Sequence, residues 1–458
     1  MRLRSLIAFA VMGALGSGCA HYRAQPLAPS AIETALAAPR LEAVRIAAGQ
    51  ISHPLLAPLA IDGRDGFTPD EIALMTVVAS PQLRAARDQR GVAQAQVVQA
   101  GLLPNPQLGY SLDKLHPSEP DLINGESLGL SWDVTALLGY GDRVAGAKAT
   151  AAALDLDLAW QEWQAAQAAR LAAYRALSLM ARLPLARATE AELADALALA
   201  KQARELGHNT TADVIAATEA WSLAQDERLA LEQELATQQL ALRLGLGLPA
   251  DAPLTLKADA ALPALPAGTD SAAALLDGLE KRRLDLVALT LGYESAEASL
   301  RATVKAQFPR IGINLARARD TSDVHTQTYG VSVDLPLFDR NQAQVAAGTA
   351  TRQQLFDEYV ARVAEARAEV SQILANLAAA RTQFATLEAE LPDLEAQVAA
   401  LDRAMQTRNA DAQAVRDAHG ALLARRVEEA KMRQEILELG VALELATGRA
   451  LLSRPAAN

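Results

Sequence analysis

Residues 340–408 form a long periodic stretch, in which apolar residues repeat in heptads from 363 to 405. The first core position holds Val363, Val370, Leu377, Phe384, Leu391, Val398 and Met405. The second core position holds Ala366, Ile373, Ala380, Leu387, Leu394 and Leu401. Alternating steps of three and four residues predict a helix that packs as a coiled coil. At about 1.5 Å per residue this helix is about 100 Å long, which is too long for a compact globular domain.

Three further stretches are predicted as long helices, over residues 142–205, 211–246 and 411–447. With the heptad stretch they form two helical hairpins, whose sharp turns are expected at 207–209 and 408–410. Pro184 and Pro392 lie inside two of the helices, and we expect them to kink these helices or to split them into stacked segments. Aromatic residues make up only 4% of the chain, which favours closely packed helices over a bulky aromatic core.

Four short segments alternate between apolar and polar residues, which predicts β-strands. They cover residues 107–113, 127–134, 310–315 and 328–335. In the last segment, Val331 and Val333 share a face opposite Ser332 and Asp334. This is the pattern of a transmembrane barrel strand, with apolar residues towards lipid and polar residues towards a wet lumen. Four strands are too few to close a barrel, for which about eight is the usual minimum, so three chains that supply twelve strands are expected.

The N-terminus has the pattern of a bacterial secretory signal peptide, with a basic start at 1–4, an apolar run at 6–15 and small residues before Cys19. A cysteine in this place resembles a lipoprotein signal, in which Cys19 becomes the acylated first residue of the mature chain. Leu15 departs from that pattern, since it stands four residues before the cysteine instead of three. The alternative is an ordinary signal peptide with an incidental cysteine.

The two halves of the chain repeat each other. Three pairs of identical residues stand 201 positions apart: Gly129 and Gly330, Ser131 and Ser332, and Asp133 and Asp334. Each half has the same predicted order of helix, two strands, long helix and second long helix, which indicates an internal duplication. The expected organisation is a signal peptide at 1–18, a lipidated extended segment at 19–69, a first repeat at 70–248, a linker at 249–270, a second repeat at 271–448 and a tail at 449–458.

Composition and motifs argue against several classes of function. The formal net charge is −11, so nucleic acid is not an expected partner. The chain has no glycine-rich phosphate loop, no nucleophile elbow and no His/Cys cluster, so we expect neither an enzyme nor a bound cofactor or metal. After the signal peptide, no uncharged apolar stretch reaches 18 residues, so no transmembrane helix is expected.

Several motifs together resemble those of the TolC-type outer-membrane efflux factors. They lie at 103–106 (LPNP), at 206–214, at 330–340 and at the hairpin ends 244–249 and 443–448. The resemblance covers about residues 70–450. It implies an α+β membrane protein that is a homotrimer, in which a twelve-strand outer-membrane barrel continues into a periplasmic tunnel of long coiled-coil helices. It also implies a passive exit duct that performs no catalysis and is coupled to a periplasmic adaptor and an inner-membrane pump of the RND type.

The resemblance assigns roles to residues near the helical turns, which face the adaptor in this family. The implied docking positions are Arg204, Leu206, Gly207, Thr211 and Asp213 in the first half and Arg408, Asn409 and Asp411 in the second. The family narrows the periplasmic mouth with acidic rings, and the matching carboxylate here is Asp417, whereas a second acidic position falls on Ala414. Three copies of Asp417 at a narrow mouth would favour cations. The alternative is that Asp417 is a solvated helix charge.

The cargo and the class of protein have alternatives. Residues 335–342, LPLFDRNQ, look most like the heavy-metal (CzcC-type) branch of the family, which implies export of metal cations. A drug-efflux duct of the same family is the second reading. A lipid-anchored periplasmic coiled-coil scaffold is the third, and it explains the heptads but not the strands. The expected location is the outer membrane, with a lipid anchor and an extension into the periplasm.

Overall fold

The computed structural model describes residues 21–116, 122–257, 272–407 and 411–452. The predicted acylation site Cys19 and the predicted docking residues Arg408 and Asn409 lie outside these ranges. The chain divides into two units, Met1–Ala38 and Pro39–Asn458. In the first unit the described residues contain one helix, α1 (Pro29–Leu36), which begins with a proline that suits a first helical turn.

The second unit opens with a helix, α2 (Leu41–Gly49), inside the segment that was expected to be extended up to residue 69. The helices α3 (Pro69–Ala79) and α4 (Pro81–Ala100) follow at the start of the predicted first repeat. Helix α2 buries Val44 and Ala48, which lie on one face at a spacing of four residues. The expectation of an extended segment was therefore wrong at α1 and α2, because short amphipathic helices of this kind give a weak periodic signal.

Both halves of the second unit then follow the same order of elements. The first half continues with β1 (Gln107–Asp113), β2 (Gly125–Asp133), a 3₁₀ turn (Thr135–Leu137), α5 (Tyr140–Glu205) and α6 (Thr211–Gly245). The second half contains the short helices α7 (Ala272–Leu276) and α8 (Leu279–Arg282), then α9 (Leu284–Lys305), β3 (Arg310–Arg319), β4 (His325–Asp334), α10 (Gln342–Gln406) and α11 (Ala412–Thr447).

The heptad pattern predicts the packing of α10 well. Helix α10 packs against α11, as α5 packs against α6. The buried residues of α10 are Ala366, Val370, Leu377, Ala380, Leu387, Leu391 and Val398, all of which were predicted as core. Met405 is 41% exposed, so its prediction as a core residue was wrong. It lies in the last turn of the helix, where the packing contact between the two helices of the hairpin ends.

The two internal prolines do not divide their helices. Helix α5 runs for 66 residues through Pro184, and α10 runs for 65 residues through Pro392. The predicted split into stacked segments was therefore wrong. A proline removes one backbone hydrogen bond, but packing on both sides of it holds the helix together. Leu179 and Ala186 flank Pro184 and are buried against Leu231 of α6.

The four strands form one antiparallel sheet in the order β1-β2-β3-β4. Strand β3 reaches Arg319 and β4 begins at His325, so both are longer than predicted. The ladder continues through the pairs Arg317–Gln327 and Arg319–His325, where polar residues occupy both faces and the alternation in the sequence is lost. The inner pair β2–β3 joins a strand from the first half to a strand from the second.

The largest buried cluster lies beside the middle of α5. Helix α3 is buried there along most of its length, together with Trp160 and Trp163 of α5. The beginning of the predicted linker adds to this region, because the backbone N–H of Phe67 donates to the carbonyl of Thr255 at 2.9 Å. Lys257 donates to the Phe67 carbonyl at 3.0 Å, so these linker residues are tied to the segment that precedes α3.

Candidate functional site

One face of the sheet is apolar and exposed over most of its area. Tyr329 is 78% exposed and Val331 is 70% exposed on β4, and their neighbours on β3 are exposed as well. The residues that share this face include Leu108, Tyr110, Leu128, Leu130, Ile311, Ile313, Leu315 and Val333. A continuous apolar surface of this kind marks a contact with a partner or a membrane.

The opposite face is polar and carries hydrogen bonds between neighbouring strands. The hydroxyl oxygens of Ser111 and Ser127 are 2.9 Å apart across β1 and β2. The Asn314 side-chain amide donates to the Ser332 hydroxyl at 3.2 Å across β3 and β4. The face is otherwise lined by glycines, threonines and aspartates, and it suits contact with water.

The first helical turn, between α5 and α6, presents all five of the predicted docking residues in its half as exposed side chains or backbone. They are Arg204, Leu206, Gly207, Thr211 and Asp213. Gly207 has a φ of 78°, in the left-handed region that favours glycine. Leu206 beside it is 67% exposed.

Asp213 has a structural role at this turn. Its carboxylate accepts hydrogen bonds of 2.7 Å from both the backbone N–H and the hydroxyl of Thr210. Its own N–H donates to the Thr210 hydroxyl, which completes a capping box at the start of α6. These hydrogen bonds hold the pKa of Asp213 below its usual value. The turn is therefore built by its own residues and needs no partner to form.

At the second helical turn, Asp411 caps α11 and Asp417 lies in the second turn of that helix. The Asp411 carboxylate accepts from the N–H of Gln413 at 3.2 Å. The Gln413 side chain in turn donates to Asp417 at 2.8 Å, and Asp417 is exposed. The sequence analysis missed a contact two residues further on, where the His419 ring lies 2.9 Å from the Asp402 carboxylate and joins α11 to the end of α10.

The turn between α5 and α6 and the start of α11 lie at the same end of the second unit. Arg170 of α5 pairs with Glu444 of α11, and Arg175 pairs with Glu438 at 2.7 Å, so the two helices run in opposite directions. Leu206 lies about 46 Å from Arg175, towards the C-terminal end of α5. Asp411 lies about 40 Å from Glu438, towards the N-terminal end of α11. The strands adjoin the opposite end of α5. The predicted docking positions in the described residues therefore come together far from the sheet.

A buried ion-pair cluster joins the two halves between the sheet and the turns. The Arg170 guanidinium contacts Glu444 at 2.5 Å and Asp70 at 2.8 Å. Glu444 is 1% exposed, and its second oxygen accepts from the N–H groups of Leu451 and Leu452 at 2.6 Å. Sequence reasoning missed this cluster. Its only signal was Glu444 between two core leucines in the motif that ends α11.

A second missed feature holds the N-terminal segment against α5. The His53 ring accepts from the N–H groups of Leu55 and Leu56 at one nitrogen, and its other nitrogen donates to the Ala159 carbonyl at 3.0 Å. Glu162 lies 3.6 Å from this second nitrogen and is paired with Arg87. Burial lowers the pKa of His53 from 6.5 and outweighs the hydrogen bond to Ala159 and the charge of Glu162, which act to raise it.

The described residues also bear on metals and membranes. No group of three or more His, Cys, Asp or Glu side chains there is placed to hold a metal ion. No helix in the same part of the chain is long and apolar enough to cross a membrane.

The comparisons agree on one fold and one family. The sequence profile of the outer membrane efflux protein family matches residues 76–248 and 275–449. The outer-membrane channel OprN is 16% identical, with a TM-score of 0.68 over 94% of this chain and 98% of its own. CusC is 20% identical, with a TM-score of 0.64 over 90% and 99%. VceC from Vibrio cholerae is 17% identical, with a TM-score of 0.65 over 84% and 96%. No curated protein matches by sequence.

The fold is thus that of the outer-membrane channels, with long helices and a small sheet. Since the profile covers well over half of its residues, the chain belongs to the outer membrane efflux protein family. Proteins of this family are passive channels and not enzymes. They form trimers that extend from the outer membrane into the periplasm, and they work with periplasmic adaptors and inner-membrane pumps.

Proposed function

We propose that three copies of this chain close a twelve-strand barrel in the outer membrane and that their long helices continue it as a tunnel. The observation that carries this proposal is the four-strand sheet with one exposed apolar face, one polar face and two open edges, at β1 and β4. Open edges cannot remain in lipid, because the hydrocarbon offers no partner for their backbone groups. Edge-to-edge pairing of three sheets satisfies them and places the polar faces around a lumen.

The helical turns are the proposed docking surface for the periplasmic adaptor, and Asp417 is the proposed gate residue. Their support is the exposure of the described turn residues and their location at the end of the helices away from the sheet. The inner-membrane partner is a pump of the RND type. The Cys19 acyl chains add an anchor to the barrel, since each buried CH₂ contributes about 0.8 kcal/mol.

The experiment that tests the duct is single-channel recording with the purified full-length protein in a planar bilayer, with its mass in detergent measured by light scattering. We expect a trimer that conducts in discrete steps and prefers cations. A soluble, non-conducting monomer or dimer would contradict the proposal and would support the coiled-coil scaffold.

Metal cations are the proposed cargo, on the resemblance of residues 335–342 to the heavy-metal branch. In cells that lack their own channel but keep the cognate pump and adaptor, this chain should restore growth on toxic divalent metal salts. Restored growth on drugs with no effect on metal tolerance would instead support the drug-efflux alternative. The metal test and the drug test use the same strain, so the amount of channel in the membrane is the same in both.

A further inference from the structure

The exposed apolar face of the sheet carries a basic residue near its loop end, where β1 joins β2 and β3 joins β4. Arg317 of β3 lies directly between Leu128 of β2 and Gln327 of β4. The next row towards the helices is Leu130, Leu315 and Tyr329. An exposed guanidinium therefore borders directly on the apolar surface.

The row beyond Arg317 balances its own charges. Arg319 contacts Asp323 at 2.6 Å and faces Glu126 across the β2–β3 pair. His325, opposite Arg319 on β4, lies 3.8 Å from the same Asp323. For Arg317 the described residues provide no carboxylate partner within ion-pair distance. Within this part of the chain, its charge is therefore not balanced by an ion pair.

Arg317 stands at the head of a groove on this face. A cavity of about 330 Å³ is lined by the polar residues Arg317, Gln327 and Tyr329 and by apolar residues that include Leu128, Leu130 and Leu315. The Tyr329 hydroxyl donates to the side-chain oxygen Oε1 of Gln327 at 3.3 Å. The side-chain NH₂ group of Gln327 is therefore available to donate to a ligand. The row nearer the loops thus holds the polar groups of Arg317 and Gln327, and the next row adds the apolar side chains of Leu130 and Leu315.

A second apolar groove continues the first towards the helices. It has a volume of about 500 Å³ and shares Leu130 and Leu315 with the first groove. Its far end is formed by Pro104 and Trp132, whose indole N–H donates to the Pro104 carbonyl at 2.8 Å. Together the two grooves present one elongated apolar floor with a cationic head, which fits an amphipathic anion with a long hydrocarbon tail.

Both grooves lie at the centre of the sheet. Leu130 and Arg317 belong to β2 and β3, the two inner strands. Pairing of the outer strands with neighbouring chains would leave the inner strands uncovered on this face. The occupant of the groove must therefore come from the medium that the face contacts.

We propose that Arg317 and Gln327 bind the phosphate of a phosphorylated lipid in the outer leaflet, whose acyl chain lies along Leu130 and Leu315. This inference rests on the proposed function, which turns the apolar face towards lipid and the loop end outward. An arginine that faces lipid destabilises the membrane-inserted protein, and the cost falls when the arginine lies at the interface. A lipid phosphate there would balance its charge through paired, charge-assisted hydrogen bonds.

The test uses the purified full-length trimer in detergent and native mass spectrometry. The probes are a bis-phosphorylated lipid A, the same lipid without its phosphates, and inorganic phosphate as a competitor. The variants are Arg317→Gln and, as a matched control, Arg310→Gln, which changes an arginine of the same strand on the polar face at the helix end. The oligomeric mass and bilayer conductance of each variant are measured on the same preparation.

We expect the phosphorylated lipid to bind the native trimer and the Arg310→Gln trimer equally. Arg317→Gln should weaken its binding about tenfold, the effect of one charged hydrogen-bonding group, and the dephosphorylated lipid should bind as weakly to all three. Equal binding of both lipids, or an equal loss in both variants, would overturn the inference. Complete displacement by inorganic phosphate would also overturn it, because the site would then recognise a free anion and not a lipid.

Failure of this inference is distinguishable from failure of the proposed function. A conducting trimer that does not discriminate between the two lipids would leave the duct intact and remove the lipid site. The absence of a conducting trimer would remove the duct itself and, with it, the basis for the lipid site.

Discussion

Individual residues in the buried centre decide how the two halves hold together. Arg170 and Glu444 are 4% and 1% exposed and come from helices of different halves. A buried charge that loses its partner is costly, whereas replacement of the whole pair by apolar residues costs much less. The pair therefore makes the contact between the halves specific, whatever its net contribution to stability.

We expect Arg170→Leu to lower the free energy of unfolding by about 3 kcal/mol, because it leaves the buried Glu444 carboxyl group without its charged partner. The double variant Arg170→Leu/Glu444→Leu should recover part of this loss. The free energies of unfolding of both variants are measured by urea titration in detergent, with tryptophan fluorescence, including that of the nearby buried Trp163, as the signal. Arg90→Leu is the control, since its pair with Asp155 is exposed and contributes little. A double variant no more stable than Arg170→Leu would contradict this account.

His53 predicts a dependence of stability on pH. The unfolded chain binds a proton at His53 with the ordinary pKa of 6.5, whereas burial lowers that pKa in the folded chain. The folded state therefore has its full stability above pH 6.5 and loses stability as the pH falls below that value, because the unfolded state binds more protons. Protonation would also place a hydrogen on the ring nitrogen that accepts from Leu55 and Leu56.

The check is the midpoint of urea unfolding between about pH 7 and pH 5. In His53→Gln the midpoint should fall less over this range than in the native protein, although the variant starts less stable. His116→Gln, which alters a histidine in the loop after β1, should keep the native slope. Identical slopes in all three proteins would show that His53 does not titrate differently on folding.

Asp417 predicts the charge selectivity of the proposed mouth. Three copies of its carboxylate would attract cations, so Asp417→Asn should reduce the ratio of cation to anion permeability in bilayer recordings. Asp393→Asn, at an exposed position beside Pro392 in α10, serves as the control for a simple loss of negative charge. An equal change in both variants would indicate a solvated helix charge and no gate.

At the level of helices and strands, the turn between α5 and α6 is a preformed rigid element. Its left-handed Gly207 and its capping box are complete within the chain. Gly207→Pro would strain the backbone of the turn itself, so it does not separate docking from folding. Leu206 is the better probe, because its exposed side chain contributes little to the turn.

Leu206→Glu should impair efflux in cells while trimer yield and bilayer conductance stay at native values, since only the proposed adaptor contact is changed. Leu244→Glu is the control, because Leu244 is 70% exposed at the other end of α6. A matched loss of efflux and trimer yield in Leu206→Glu would remove the support for docking at this turn.

For the assembled protein, we expect the proposed barrel strands and the proposed lipid anchor to make separate contributions to membrane retention. A Cys19→Ala variant carrying a cleavable secretory signal should stay in the outer membrane fraction, because the barrel strands hold it independently of acylation. Fractionation with detection of the trimer measures this. Release of the variant as a soluble periplasmic protein would mean that the acyl chains alone held it, as the scaffold alternative requires.

Much of this architecture was accessible from the residues alone. The heptads of α10 and the alternation of the four strands are local patterns, and both were confirmed. The turn at Gly207 was also foreseen from its sequence. The partners of Arg170 and of His53 were not, because Glu444 and Glu162 lie 274 and 109 positions away, and no local pattern joins residues so distant.

The sequence by itself thus determined the elements, since helix and strand periodicity depend on neighbours a few positions apart. It also determined the family, through short motifs spread over both halves. Only the tertiary structure decided which charges are buried together, that the helices continue through Pro184 and Pro392, and that Arg317 heads an apolar groove. These outcomes depend on long-range packing and on the register between strands, which set distances that no local spacing encodes.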